Sequence, residues 1–243
     1  MTYHHVKILF GVCLILNLLF WMLFRHTQAE WANVPPVPSD KVASAFGLGD
    51  EQFAYRNIAL MLQNLGDSGG RSTPLHDYDY DALSDWFLLE SRLDSRSNMV
   101  PYLAAYYFSA VQNPDMLPPL IRYLETIGAG GVDHKWRWLA QAVFLAHYRL
   151  QDPEWALELS GKLSALQLKG VDLPVWAKNM NVMLMNASGE KEAALEIMLQ
   201  TLETEQANMD PQEMLFLIDY ICFQILDPAQ ASMNPLCKQL ENQ

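Results

Sequence analysis

The chain has 243 residues, of which 51% are hydrophobic and 18% are charged. This balance excludes an intrinsically disordered protein and allows one or two compact domains. Acidic residues outnumber basic ones by 28 to 16, so the net charge is −12 at pH 7. A nucleic-acid-binding protein must neutralise phosphates, so this charge excludes that class and disfavours anionic lipid surfaces. The expected partners are other proteins.

An uncharged apolar run near the N-terminus, residues 8–24, predicts a transmembrane helix. At 1.5 Å per residue it covers roughly 25 Å, close to the ~30 Å hydrocarbon core of a bilayer. The following Thr27-Gln28-Ala29 is a poor signal-peptidase site, so residues 1–29 are predicted to remain as a membrane anchor.

The charges that flank this run predict its orientation. Lys7 and the terminal amine precede it, only Arg25 follows it closely, and the rest of the chain is acidic. The positive-inside rule then favours a short cytoplasmic N-terminus. In a bacterium this predicts a single-pass protein of the inner membrane whose C-terminal domain lies in the periplasm.

Residues 30–49 are predicted to form a linker, because Pro35, Pro36 and Pro38 favour an extended, semi-rigid chain. Such a spacer would hold the remaining domain, residues 50–243, away from the bilayer. In that domain apolar residues recur at helical spacing, and no segment alternates with a period of two. The predicted fold class is therefore all-α.

The acidic stretch "HDYDYDALSDW" could be a calcium site, a catalytic carboxylate cluster, a partner-binding acidic patch or the start of a helix. Its alternating aspartates, from Asp77 to Asp81, match the first ligands of an EF-hand loop, but Ala82 and Leu88 stand where that loop needs glycine and glutamate. The stretch predicts instead a helix start, with Asp79 or a neighbouring aspartate capping free backbone N–H groups.

Three segments share one pattern of apolar helix, polar turn and second amphipathic helix. They are "YYFSAVQNPDMLPPLIRYLETIG", "FLAHYRLQDPEWALELSGKLSAL" and "VMLMNASGEKEAALEIMLQTL". Leu117, Ala156 and Ala194 hold the same place in each second helix, at spacings of 39 and 38 residues by subtraction. One such hairpin cannot bury its apolar face alone, so the repeat predicts hairpins that stack on one another.

The turn and second helix of two of these units resemble those of tetratricopeptide (TPR) repeats. Gly189 and Ala194 match the turn glycine and the helix-B alanine of that family, and Asp152 and Ala156 match in the preceding unit. The period is longer than the usual ~34 residues. The resemblance covers residues 97–205 and implies a TPR-like α-solenoid of antiparallel helix hairpins after the membrane helix, with "DPQEMLFLIDYICFQIL" as its closing helix.

Sequence motifs that carry chemistry are absent. The chain has no G-x-S-x-G, H-E-x-x-H, C-x-x-C or P-loop motif. Glu90, Asp94 and Glu125 could form a carboxylate pair in space, but no spacing requires it. No catalytic residue, metal site, cofactor or small-molecule substrate is predicted, and the chain is not expected to be an enzyme.

The candidate partner-binding residues are Trp136, Arg137 and Tyr106. Tryptophan, tyrosine and arginine are enriched where partners bind, and the TPR resemblance implies a concave groove lined by first helices. Burial in the core is the competing interpretation for the aromatic residues, and Trp138 is expected in the core.

Two cysteines near the C-terminus leave two interpretations open. Cys222 and Cys237 could form a disulfide that ties the last helix to the tail, as an oxidising compartment permits, or they could be buried thiols.

Together these patterns predict a membrane-anchored scaffold or a chaperone-like assembly factor that docks a helix or extended peptide in a groove. It is similar in architecture to the anchored TPR proteins of Gram-negative inner membranes. The alternative is a permanent structural subunit of a membrane complex, which Asn17 within the apolar run favours, because polar residues in membrane helices pair with other helices. An enzyme is the least favoured hypothesis.

Overall fold

A computed structural model describes residues 3–25, 34–66, 72–130, 134–205 and 209–240. All regular structure in these ranges is helical, and they contain no strand. The all-α prediction is therefore confirmed.

The N-terminal helix α1 spans Tyr3–Phe24. Within the described ranges, its stretch His5–Phe24 is the one helix long and apolar enough to cross a membrane, and none of it is buried against the domain. The predicted span, 8–24, lies inside this helix. At its end the Arg25 guanidinium lies 5.7 Å from the centre of the Trp21 ring, a pairing suited to the boundary between lipid and water.

The predicted linker packs against the domain from Val34 onward. It is therefore not the free spacer that the sequence predicted. Val34 is 7% exposed, and the Trp86 indole Nε1 donates a hydrogen bond of 2.7 Å to the Pro35 carbonyl. The Arg92 guanidinium contacts the Asp40 carboxylate at 2.9 Å. An extended proline-rich segment can be a free spacer or lie along a surface, and here Trp86 and Arg92 hold it; we name residues 34–40 the strap.

The strap leads into helix α2 and then into the main helical domain. Residues 30–33, and with them the predicted boundary between anchor and linker, lie outside the described residues. The helices are α2 Asp40–Ala45, α3 Glu51–Gln63, α4 Tyr80–Leu93, α5 Met99–Tyr102, α6 Pro118–Gly128, α7 Trp136–Phe144, α8 Pro153–Ala165, α9 Val175–Lys178, α10 Met180–Ala187, α11 Lys191–Glu205, α12 Pro211–Tyr220, α13 Pro228–Met233 and α14 Pro235–Leu240.

Aspartate caps start several of these helices. The Asp79 carboxylate accepts a hydrogen bond of 3.0 Å from the Ala82 N–H at the start of α4, which confirms the helix start predicted for the acidic stretch. Asp152 likewise accepts from Trp155 N–H at 2.9 Å, with Pro153 in the first turn of α8. Proline there loses no hydrogen bond, because the first N–H groups of a helix have no partner within it.

Three helices end in a wide turn with π-type backbone hydrogen bonding, in which each bond closes a larger ring than in an α-helix. An Asn-Pro or Asp-Pro pair follows each of them, at 113–114, 152–153 and 227–228. The wide turns are Leu103–Tyr107 after α5, Leu145–Leu150 after α7 and Ile221–Ile225 after α12. The third occurrence lies outside the three segments aligned from the sequence.

The buried residues form two clusters that meet at α10. The first cluster joins the strap to α3–α8, and the second surrounds α11 and α12. In α10, Leu184 belongs to the first cluster and Val182 belongs to the second. From α6 to α12 each helix contacts its neighbours along the chain. Leu117, Ala156 and Ala194 are fully buried, although Leu117 precedes the first residue of α6. Bundles and solenoids share such sequential packing, so the TPR-like solenoid stays a prediction.

The C-terminal end differs from the predicted single closing helix. After α12 and its wide turn, Pro228 and Pro235 start two more short helices, α13 and α14. A disulfide joins Cys222 to Cys237, with Cα atoms 5.6 Å apart. It ties α14 back to the end of α12, so the last helices are anchored covalently as well as by packing.

This pairing predicts a simple labelling result. In denaturant without reductant, a maleimide should add to one thiol, that of Cys13, because the other two cysteines are bonded. After reduction it should add to three. A Cys13→Ser variant is the control: it should give no adduct before reduction and two adducts after it. Full labelling of the unreduced chain, measured by intact mass, would contradict the disulfide.

Candidate interaction surface

Four large aromatic side chains lie exposed at the wide turns that follow α5 and α7. Tyr102, Tyr106, Phe144 and Tyr148 are 57%, 52%, 45% and 64% exposed. Ring centroids are 4.9 Å apart for Tyr102–Tyr106 and 5.0 Å apart for Phe144–Tyr148. We name these four residues the aromatic face. Exposed apolar surface of this kind, when contiguous, marks a site of interaction.

The wide turns place these pairs in equivalent positions. Each pair consists of the residue just before a wide turn and the residue four positions later, in the stretches "YLAAY" and "FLAHY". In the third wide turn the equivalent residues are Tyr220 and Gln224, and Tyr220 stacks on Phe216 instead, at 6.4 Å. The exposed aromatic pair therefore occurs at two of the three wide turns in the described chain.

A cleft of about 300 Å³ is lined by one ring from each pair, Tyr106 and Phe144. Its lining includes the small residues Ala105 and Ser109, both buried, and the rings of Tyr106 and Phe144 form walls. Arg149 also lines it, and its Nη2 donates a hydrogen bond of 2.7 Å to the Val111 carbonyl. This bond holds one edge of the guanidinium and leaves further N–H donors for a ligand. The cleft thus combines apolar walls with a positioned cation.

The three residues predicted to bind a partner lie in three different environments. Tyr106 belongs to the aromatic face and lies 6.5 Å from the Trp138 ring, and Trp138 is buried, as expected. Trp136 is only 6% exposed and packs on Trp176 with ring centres 5.6 Å apart, so its indole cannot be a surface contact. Arg137 is exposed, and its Nε donates to the His134 carbonyl at 3.3 Å.

Phe144, Tyr148 and Arg149 were missed as candidates from the sequence. The available signal was the likeness of "YLAAY" to "FLAHY", each shortly before an Asn-Pro or Asp-Pro turn. An aromatic pair spaced by four residues lies on one side of a helix. The same spacing occurs in both stretches, and this recurrence was a stronger signal for a surface feature than a single tryptophan.

The described part of the chain offers no arrangement typical of catalysis. It holds no group of three or more His, Cys, Asp or Glu residues that could bind a metal. Of the three acidic residues considered above, Glu125 pairs with Lys162 at 2.6 Å. Glu90 is fully buried and neither of its carboxylate oxygens has a hydrogen-bond partner. It does not line the cleft.

Burial dominates the electrostatics of Glu90. Removal from water raises the pKa of its carboxyl to about 8, with a further contribution from the negative charge of Asp94. Burial also raises the pKa of neighbouring Tyr55 and Tyr123. Glu90 is therefore held protonated and neutral inside the domain at pH 7.

Comparison with protein families, with curated proteins and with solved structures gives no match for this chain.

Because the pKa of Glu90 is raised in the folded chain, we expect the free energy of unfolding to fall as pH rises. Its carboxyl ionises near 4.5 in the unfolded chain and near 8 in the folded chain. Between these values the unfolded state releases the proton first, so the free energy of unfolding drops by about 1.4 kcal/mol per pH unit. Glu90→Gln should remove this part of the slope in urea unfolding of the full chain followed by tryptophan fluorescence.

The control for that experiment is Glu158→Gln, because Glu158 is exposed and pairs with Lys162 on the surface. Its pH slope should equal that of the wild type. An unchanged slope between pH 5 and 8 in the Glu90→Gln variant would contradict the assignment.

Proposed function

We propose that this chain is a membrane-anchored interaction protein in which α1 fixes the chain in the bilayer and the aromatic face binds a segment of a partner protein. The observation that carries this proposal is the recurrence of an exposed aromatic pair at the wide turns that follow α5 and α7, with one ring from each pair lining the same cleft. A folded domain gains nothing in stability from leaving four large rings in water, so the aromatic face needs an occupant.

The composition of the aromatic face favours a protein partner. Tyrosine offers a large rigid ring with few torsions and a hydroxyl that tolerates water, which makes it effective at interfaces that open and close. Arg149 adds donors for a carbonyl or carboxylate oxygen. The matching partner segment is a helix or extended peptide that inserts one apolar side chain into the cleft and presents an acceptor beside it.

This partner-binding domain belongs, in our proposal, on the non-cytoplasmic side of a bacterial inner membrane. Lys7 and the terminal amine favour a cytoplasmic N-terminus. The disulfide between Cys222 and Cys237 supports an oxidising compartment, since cytosolic thiols are kept reduced. The protein would act there as a scaffold or assembly factor for other membrane or exported proteins.

A second candidate is a permanent subunit of a membrane complex, favoured by Asn17. This amide lies near the middle of α1 with an exposed side chain. A polar group in hydrocarbon is costly unless it pairs, and asparagines in membrane helices commonly bond to another helix. Under this alternative α1 itself would hold the partner.

The test compares three variants in a tagged full-length chain purified gently from its native membrane. Tyr106→Ala combined with Tyr148→Ala should reduce the co-purifying partner at least tenfold, because truncating central aromatic contacts typically costs more than ~1 kcal/mol each. Phe223→Ala is the matched control, an aromatic side chain 71% exposed on the third wide turn. It should leave the partner bound.

Asn17→Leu separates the two candidates. A partner that survives Asn17→Leu and is lost with the aromatic double variant supports the interaction protein. A stoichiometric partner lost with Asn17→Leu and retained by the aromatic double variant would replace that proposal with the structural subunit.

A further inference from the structure

A second exposed apolar cluster lies at the corner between α2 and α3. Val42, Phe46, Leu48 and Phe53 are 55%, 54%, 94% and 49% exposed. We name these four residues the apolar corner. It shares no residue with the aromatic face.

Leu48 is held outward by a tight and unusual turn. Its φ is 55°, the left-handed region that leucine rarely adopts. A Cβ on the preceding Gly47 would lie 2.1 Å from the Asp50 carbonyl oxygen and 2.4 Å from the Ala54 nitrogen, so the turn packs too closely for any side chain there. The fold thus presents an apolar side chain where glycine or asparagine would be favoured, and this indicates a contact outside the domain.

The membrane helix lies close by along the chain. Only residues 26–33 separate Arg25 from the packed Val34, a distance of roughly 30 Å even when fully extended. A domain of this size is about 40 Å across. The domain therefore stays beside the bilayer that α1 can cross, whatever conformation these residues adopt.

The strap connects that junction to the apolar corner along the chain. It lies along α4 between its bonds to Trp86 and Arg92, continues directly into α2, and reaches Phe46 twelve residues after Val34. Among the residues that the structure describes after Arg25, the apolar corner is the first group of exposed large apolar side chains.

Charge at the apolar corner fits contact with neutral lipid. The Asp40 carboxylate is paired with Arg92, and the Asp50 carboxylate accepts the Phe53 N–H at 3.1 Å as the cap of α3. Lys41 and Arg56 balance part of the acidity. Attraction to an anionic surface is therefore weak, and the apolar side chains themselves supply the driving force.

From these observations we propose that the apolar corner inserts into the interfacial layer of the bilayer that α1 crosses, with Leu48 deepest. The membrane then holds the domain at two points, α1 and the apolar corner, and fixes its orientation. This proposal depends on α1 being in a membrane and not on the partner-binding role of the aromatic face.

The test places one fluorescent probe at two matched positions in the full chain. In a Cys13→Ser background without reductant, Leu48→Cys and Leu168→Cys are each labelled with an environment-sensitive dye and reconstituted in phosphatidylcholine vesicles. Leu168 is the control, since it is also apolar and 91% exposed but lies between α8 and α9. Both probes share the same distribution of chain orientations in the vesicles.

A nitroxide-bearing lipid should quench the Leu48 probe at least threefold more than the Leu168 probe, and aqueous iodide should do the reverse. High salt should leave this difference unchanged, because the contact is apolar. Replacing Phe46 and Phe53 by serine should remove it. Equal quenching at the two positions, or a difference abolished by salt, would overturn the proposal.

Discussion

The hydrogen bond from the Trp86 indole to the Pro35 carbonyl sets how far the domain can lie from its membrane helix. Without it, and without the nearby Arg92–Asp40 pair, the whole stretch between Arg25 and the start of α2, 14 residues by subtraction, would be a spacer and the domain could turn freely. With the strap docked, eight residues remain between Arg25 and Val34. The proposal for the apolar corner depends on this short connection.

The wide turns have a comparable influence on the aromatic face. A π-type turn at the end of a helix adds a residue to the backbone spiral and rotates the side chains that follow. Here one such turn starts directly after Tyr102 and another directly after Phe144, so Tyr106 and Tyr148 hold the same place within the two turns. Wide turns of this kind are frequent at functional sites. One ring of each pair, Tyr106 and Phe144, lines the same cleft.

Local signals account for what the sequence predicts well. The apolar run, the Asp79 cap and the Asp-Pro helix starts each depend on a few neighbouring residues, and the structure places them as expected. Burial depends on which helix packs on which face, a long-range property. Residue type and the TPR resemblance therefore favoured Trp136 as a contact, although Trp176 packs on it. For the same reason the proline-rich strap could not be told from a spacer.

The most direct test of the central claim is site-specific photo-crosslinking in native membranes, with a photoreactive residue at Phe144 on the aromatic face and, for comparison, at Phe223 on the third wide turn. The account predicts a discrete protein adduct from Phe144 that is absent from Phe223, identified by mass spectrometry of the shifted band. Lipid adducts alone, or the same products at both positions, would contradict a partner-binding role for the aromatic face.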